Sequence, residues 1–186
     1  MIERTQAKDD AFSTVTFPCF DHEQVKEINK KIKENIFQKE NPSYAVGELK
    51  KGEFSHVHCM PLMELLHPWL YQCQLENKKS FGYDIFWDFH LESFNYNVYG
   101  VEGEYGWHID SNIEKTSIDM KLTCLLNLSE EPYEGGKFCA INSDEKIEFI
   151  SGMGIIFTSL IAHKVTPVTK GKRKTLTYWA WGPSWR

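Results

Sequence analysis

Past Lys79 the spacing of apolar residues changes from helical to alternating, and that change commits the second half of the chain to strands. Ile85, Trp87, Phe89 and Leu91 alternate with Phe86, Asp88, His90 and Glu92, and an extended aromatic stretch continues from Tyr96 to Tyr99. Further strands are predicted over 120–128, 136–142, 147–150, 153–157, 163–168 and 174–181. Turn signals such as Glu134-Gly135-Gly136, Asn142-Ser143-Asp144 and Lys170-Gly171-Lys172 separate them. So many short strands imply a mainly β fold, a barrel or jelly roll.

The N-terminal part reads differently. Asp21 and Gln24 form a capping box ahead of Val25, Ile28 and Ile32, which predicts a helix over about 22–36. A second helix is expected over about 61–76, with Pro61 in its first turn and Leu62, Leu65, Leu66, Trp69 and Leu70 on one buried stripe. Pro68 is expected to kink or split it. Residues 41–51 between the helices read as polar turns. The strands are therefore expected to be braced by N-terminal helices, an α+β arrangement on a mainly β frame.

A length of 186 residues suits one buried core, so a single domain is expected. The opening MIERTQAKDDAFST lacks the apolar run of a signal peptide, and no apolar run is long enough to span a membrane. Five cysteines with no C-x-x-C pair argue against a disulfide framework or zinc knuckle, and a cytoplasmic location is the expectation. The net charge of -5 argues against a nucleic-acid partner, whose phosphates call for a basic surface. The local basic run Lys164, Lys170, Lys172 and Lys174 reads as a solvated turn beside a strand.

Five residues carry candidate chemistry, three of them as metal ligands. His108 and Asp110 are two apart, so on a strand or its extended exit both side chains project to one face and can chelate one ion. His163 supplies a third ligand. Two histidines and a carboxylate on one face of a metal leave the opposite positions open, as oxygen chemistry at non-haem iron(II) requires, although zinc can use the same ligands. Ten residues past His163 stands Arg173, whose planar guanidinium matches a carboxylate with two hydrogen bonds and stays charged when buried. Thr175, two residues on, shares its strand face and can donate to the same carboxylate.

The pattern H-x-D followed by H-x-V-x-P-V-x-x-G-x-R-x-[ST]-L resembles the prolyl 4-hydroxylase-like branch of the iron(II)- and 2-oxoglutarate-dependent dioxygenases. The resemblance runs from about Phe94 to Trp181 and takes in Leu122 to Leu128, the Gly135-Gly136 turn, and Gly152 to Phe157 leading into His163. It implies a double-stranded β-helix of cupin type over about 84–186 with helical support over about 20–78. It also implies His108, Asp110 and His163 as catalytic iron ligands, and Arg173 with Thr175 on 2-oxoglutarate. Tyr99 is the implied aromatic partner of the co-substrate, with Tyr96 as its alternative. The implied reaction consumes O2 and 2-oxoglutarate, with ascorbate in support, and hydroxylates a C–H bond; Asp110 as carboxylate favours hydroxylation over halogenation.

The implied substrate is a prolyl or similar residue in a protein or peptide. A small molecule such as a free amino acid is the alternative, and a non-catalytic cupin-like binding module is the reading from another class. Alkylation-repair relatives carry a second arginine six residues after the first, where this chain has Trp179. His56-Val57-His58-Cys59 lacks a fourth partner at ligand spacing. Trp107, Trp179, Trp181 and Trp185 read first as core or rim aromatics, with Trp107 and Trp181 placed so that they could touch substrate.

Overall fold

The computed structural model describes residues 14–40, 49–86, 93–111, 118–141 and 147–185. Along them run β1 (Thr14–Pro18), α1 (His22–Glu34), β2 (Ile36–Glu40), β3 (Lys50–Lys51), β4 (Glu53–His58), α2 (Met63–Glu76), β5 (Ser93–Tyr99), β6 (Glu104–His108), β7 (Ile118–Asn127), β8 (Glu134–Gly135), β9 (Phe138–Ala140), β10 (Met153–Thr158), β11 (His163–Val165), β12 (Val168–Lys170) and β13 (Arg173–Pro183). A seven-stranded antiparallel sheet has the order β1-β10-β7-β13-β5-β4-β2, a smaller sheet the order β3-β6-β11-β9, and β12 pairs with β8 as a separate ribbon. The two larger sheets line one cavity between them, the jelly-roll layout of a double-stranded β-helix.

Strand β13 organises the large sheet because it pairs with β5 on one side and β7 on the other. Alternation then sorts its residues. Leu176, Tyr178 and Ala180 join Phe94, Tyr96, Leu122, Cys124 and Leu126 in a core that also holds Ile28, Ile32, Leu66 and Trp69 from the helices. Arg173, Thr175, Thr177 and Trp179 turn the other way, into the cavity. Helix α1 starts at a true capping box, with reciprocal Asp21 and Gln24 hydrogen bonds of 2.9 Å. Its polar Asn29 is buried, but donates to the Leu128 carbonyl at 2.7 Å and accepts from Tyr96 Oη at 2.8 Å.

Several expectations need correction. Helix α2 runs through Pro68 as one element, so the proline does not split it. Burial of Leu66, Trp69, Leu70 and Cys73 on the sheet offsets the hydrogen bond lost at that position. The N-terminal part contributes strands as well as helices: β1, β2 and β4 all belong to the large sheet. Residues 147–150 form no strand, and Ile85 and Phe86 lie outside any strand, although Phe86 N–H donates to the Trp181 carbonyl at 2.7 Å. The remainder of that alternating segment, 87–92, is outside the described residues. No helix among those described is long and apolar enough to cross a membrane.

Candidate metal centre

The strand β6 reaches the cavity with one extra residue relative to its partner. His108 faces His163 across the β6–β11 pair, whereas Tyr105 faces Val165, so three steps on β6 match two on β11. That bulge turns Tyr105 and His108 to the same side, where their rings stack at 3.5 Å between centroids and 12° between planes. On β11, His163 is also held between His108 and Ala140 of β9. Ligand atoms of His108, Asp110 and His163 lie within 4.8 Å of one another, the only such group among the described residues.

Each histidine is oriented by its own chain. His108 Nδ1 lies 2.8 Å from the Gly106 carbonyl, and His163 Nδ1 lies 2.9 Å from the Ile161 carbonyl. A carbonyl only accepts, so Nδ1 carries a proton in both rings and Nε2 is the nitrogen left to meet Asp110 or a metal. Both Nε2 atoms point at Asp110, His108 to Oδ1 at 3.5 Å and His163 to Oδ2 at 3.6 Å. Burial depresses the His163 pKa and Asp110 offsets only part of this, which favours the neutral ring a metal needs. Burial opposes charge on Asp110, but the His108 ring, nearby His163 and the Thr123 hydroxyl together hold its carboxyl below the usual carboxylate value.

Arg173 opens β13 and lines the same cavity. It is 1% exposed, and its Nε and Nη2 have no hydrogen-bond partner. Its guanidinium sits 5.3 Å from the Tyr99 ring centroid and 5.7 Å from that of Phe149. Among the described residues no carboxylate forms an ion pair with it. Leaving a buried cation uncompensated is expensive, and a ligand carboxylate would remove the cost. The Gly135-Gly136 turn makes room: a Cβ on Gly136, at φ +56°, would meet Arg173 Cδ at 3.0 Å.

Tyr99 pairs with Arg173 across β5 and β13 and lines the cavity, where burial pushes its pKa up and keeps it a phenol. Tyr96 faces the helices and bonds to Asn29. Thr175 lines the cavity beside Asn97, its partner on β5. Lys50, Asn97, Tyr105, Phe138 and Trp179 also line it, and none was singled out from sequence as a site residue. Asn97 Oδ1 and Trp179 Nε1 are buried there without partners. Trp107 points outward, 47% exposed, with Lys164 Nζ 4.8 Å from its ring, and is no part of the cavity. His56 lies on β4 against Ser93 Oγ at 3.3 Å, within a strand and not in a metal cluster.

The residues fit a divalent metal with a carboxylate-bearing co-substrate, by donor set and by the unpartnered guanidinium. Comparison with known proteins agrees. Residues 94–181 match the 2OG-Fe(II) oxygenase superfamily, whose members take Fe(II), 2-oxoglutarate and O2. A PKHD-type hydroxylase of Alteromonas mediterranea is 33% identical over 93 residues, 45% of this chain and 41% of that one. One from Shewanella oneidensis is 34% identical over 90 residues, 45% and 40% of the two chains. The chain thus spans less than half the length of either relative.

Among solved structures, a viral collagen prolyl hydroxylase of Paramecium bursaria Chlorella virus-1 superposes with a TM-score of 0.69 at 14% identity, over 91% of this chain and 96% of that one. A Pseudomonas putida prolyl-4-hydroxylase gives 0.65 at 17% identity, over 94% of both. These likenesses speak to the fold, and the sequence matches to the lineage. With its His-Asp-His group, the chain is similar over residues 94–181 to the 2OG-Fe(II) oxygenase superfamily, and the likeness is to its prolyl 4-hydroxylase-like branch.

Proposed function

We propose that this chain is a hydroxylase in which His108, Asp110 and His163 hold Fe(II) and Arg173 holds the distal carboxylate of 2-oxoglutarate. The observation that carries the proposal is the pairing, in one cavity, of a three-ligand group with a buried guanidinium whose Nε and Nη2 lack partners. Iron with 2-oxoglutarate and O2 supplies the oxidising power to hydroxylate a C–H bond, with succinate and carbon dioxide as co-products.

The chain's own residues do the rest. Proton placement at Nδ1 of both histidines keeps Nε2 available as ligand. Arg173 anchors the co-substrate, with Thr175 and Tyr99 as adjacent hydroxyl donors, and the aromatic pair Tyr99 and Phe149 keeps water from the guanidinium. Leu125, Phe138 and Val165 give the cavity apolar walls.

For the substrate we favour a prolyl or similar residue in a protein or peptide. In support, a fold neighbour from Trichoplax adhaerens, TM-score 0.69 at 16% identity over 94% of this chain and 85% of that one, is a prolyl hydroxylase bound to a hypoxia inducible factor peptide. A free amino acid is the alternative, and mass spectrometry of peptides against free amino acids after turnover separates the two. The class itself is tested by succinate release from 2-oxoglutarate with iron(II), ascorbate and oxygen, alongside His163→Ala. Metal-dependent succinate lost in the variant supports the proposal; neither iron binding nor succinate from the wild type would leave a cupin-like binding module.

A further inference from the structure

Thr123 stands in the middle of β7, opposite Trp179 of β13 on one side and Phe157 of β10 on the other. It is 1% exposed. Its Oγ1 lies 2.7 Å from Asp110 Oδ2 and 3.1 Å from Ser159 Oγ. An ionised carboxylate only accepts and a hydroxyl has one hydrogen to give, so Thr123 donates to Asp110 and Ser159 donates to Thr123. The relay therefore runs one way, from Ser159 to the carboxylate.

Ser159 is fully buried, at 0% exposure, and is fastened through its backbone. Its N–H donates to the Lys121 carbonyl at 3.0 Å, and its carbonyl accepts from Ser111 N–H at 3.1 Å. Ser111 follows Asp110 directly, and Ser159 begins the turn that leads to His163. One serine thus ties together β7, the segment after Asp110 and the approach to His163.

We infer that Thr123, backed by Ser159, is a positioning residue that holds Asp110 as a one-oxygen metal ligand through Oδ1. The inference rests on the metal-centre reading above. The Thr123 hydroxyl occupies Oδ2 and resists rotation about Cβ–Cγ, while Oδ1 stays turned toward the His108 side of the group. A carboxylate free to swing could chelate through both oxygens and use up a coordination position that co-substrate and oxygen need. Partners of this kind commonly hold metal ligands in place, and removing them costs roughly 10–100-fold in affinity.

The test is titration of the whole chain with cobalt(II), read by affinity and by the visible ligand-field bands, for wild type, Thr123→Val, Thr123→Ser and Ser159→Ala. Thr123→Val, nearly isosteric, is expected to weaken binding roughly 10–100-fold and to change the bands, with Thr123→Ser within about threefold of wild type. Ser159→Ala should cause a smaller loss, and little further loss in the Thr123→Val background, because the two act in series. A merely structural hydroxyl would leave the bands unmoved. Wild type that binds no cobalt overturns the metal centre and this inference with it. Wild type that binds, with Thr123→Val or a folded Ser159→Ala indistinguishable from it in affinity and bands, overturns the inference alone.

Discussion

The two faces of the large sheet are built from the same strands and obey opposite rules. On the helix side, Leu122, Cys124, Leu126, Leu176, Tyr178 and Phe94 are all 0% exposed and mostly apolar. On the cavity side, one residue along in each strand, stand Thr123, Asn127, Arg173, Thr175, Thr177, Asn95 and Asn97, equally buried and polar. The first face supplies apolar burial that holds the fold together. The second spends some of that stability on Arg173, whose Nε and Nη2 lack protein partners, and on Asn97, whose Oδ1 lacks one. Period-two alternation lets stability and chemistry be tuned separately on one strand.

That separation can be broken by substitution. The largest expected effect is from His163→Ala or Asp110→Ala, which should reduce metal-dependent succinate formation to background while leaving thermal unfolding of the metal-free chain nearly unchanged. Leu126→Ala on the other face should destabilise by about 3 kcal/mol in denaturant unfolding. Metal affinity of its folded fraction should stay as in wild type; a parallel loss of both would mean the faces are not independent.

Arg173→Ala comes next, with 2-oxoglutarate affinity falling roughly 10–100-fold, the scale of one or two charged hydrogen bonds. Calorimetric titration checks it. Stability without ligand should hold or rise, since an unpartnered buried cation is removed. The smallest effect sharpens the apolar face. Burial pushes the Cys19 thiol up to about 12 and raises Cys73 well above its ordinary value. Cys59, Cys73 and Cys124 are buried. In a native thiol titration at pH 8 the partly exposed Cys139 should therefore react first, and the buried three only after unfolding.

The candidate site was largely legible because its residues are chemically distinctive and fall in two short motifs, His108 with Asp110 and His163 with Arg173. His108, Asp110, His163 and Arg173 keep their spacing whatever the rest of the chain does, and the structure brings them to one cavity. Tyr105 was illegible, since only the bulge in β6 turns it toward His108. Asn97 offered a signal that was passed over, a poor strand former two residues from Tyr99 and so on its face. Lys50 offered none, as it reaches the cavity through pairing with β6 far along the chain. The strand β4 escaped because both its faces are covered. Phe54 packs with Tyr99, while Val57 packs toward the helices, so no alternation survives to be read.

The place of β13 between β5 and β7 sets an order of assembly. Its partners are synthesised about fifty to eighty residues earlier, and neither hydrogen-bonds to the other in the finished sheet. Each must wait with one edge unpaired until β13 leaves the ribosome and enters between them. Arg173 arrives on that strand, so a nascent chain bearing all three candidate ligands still lacks the proposed anchor for a co-substrate. Such long-range closure makes folding slow for a chain of this size. It also makes the cavity a late product of folding, complete only when the final strand is in place.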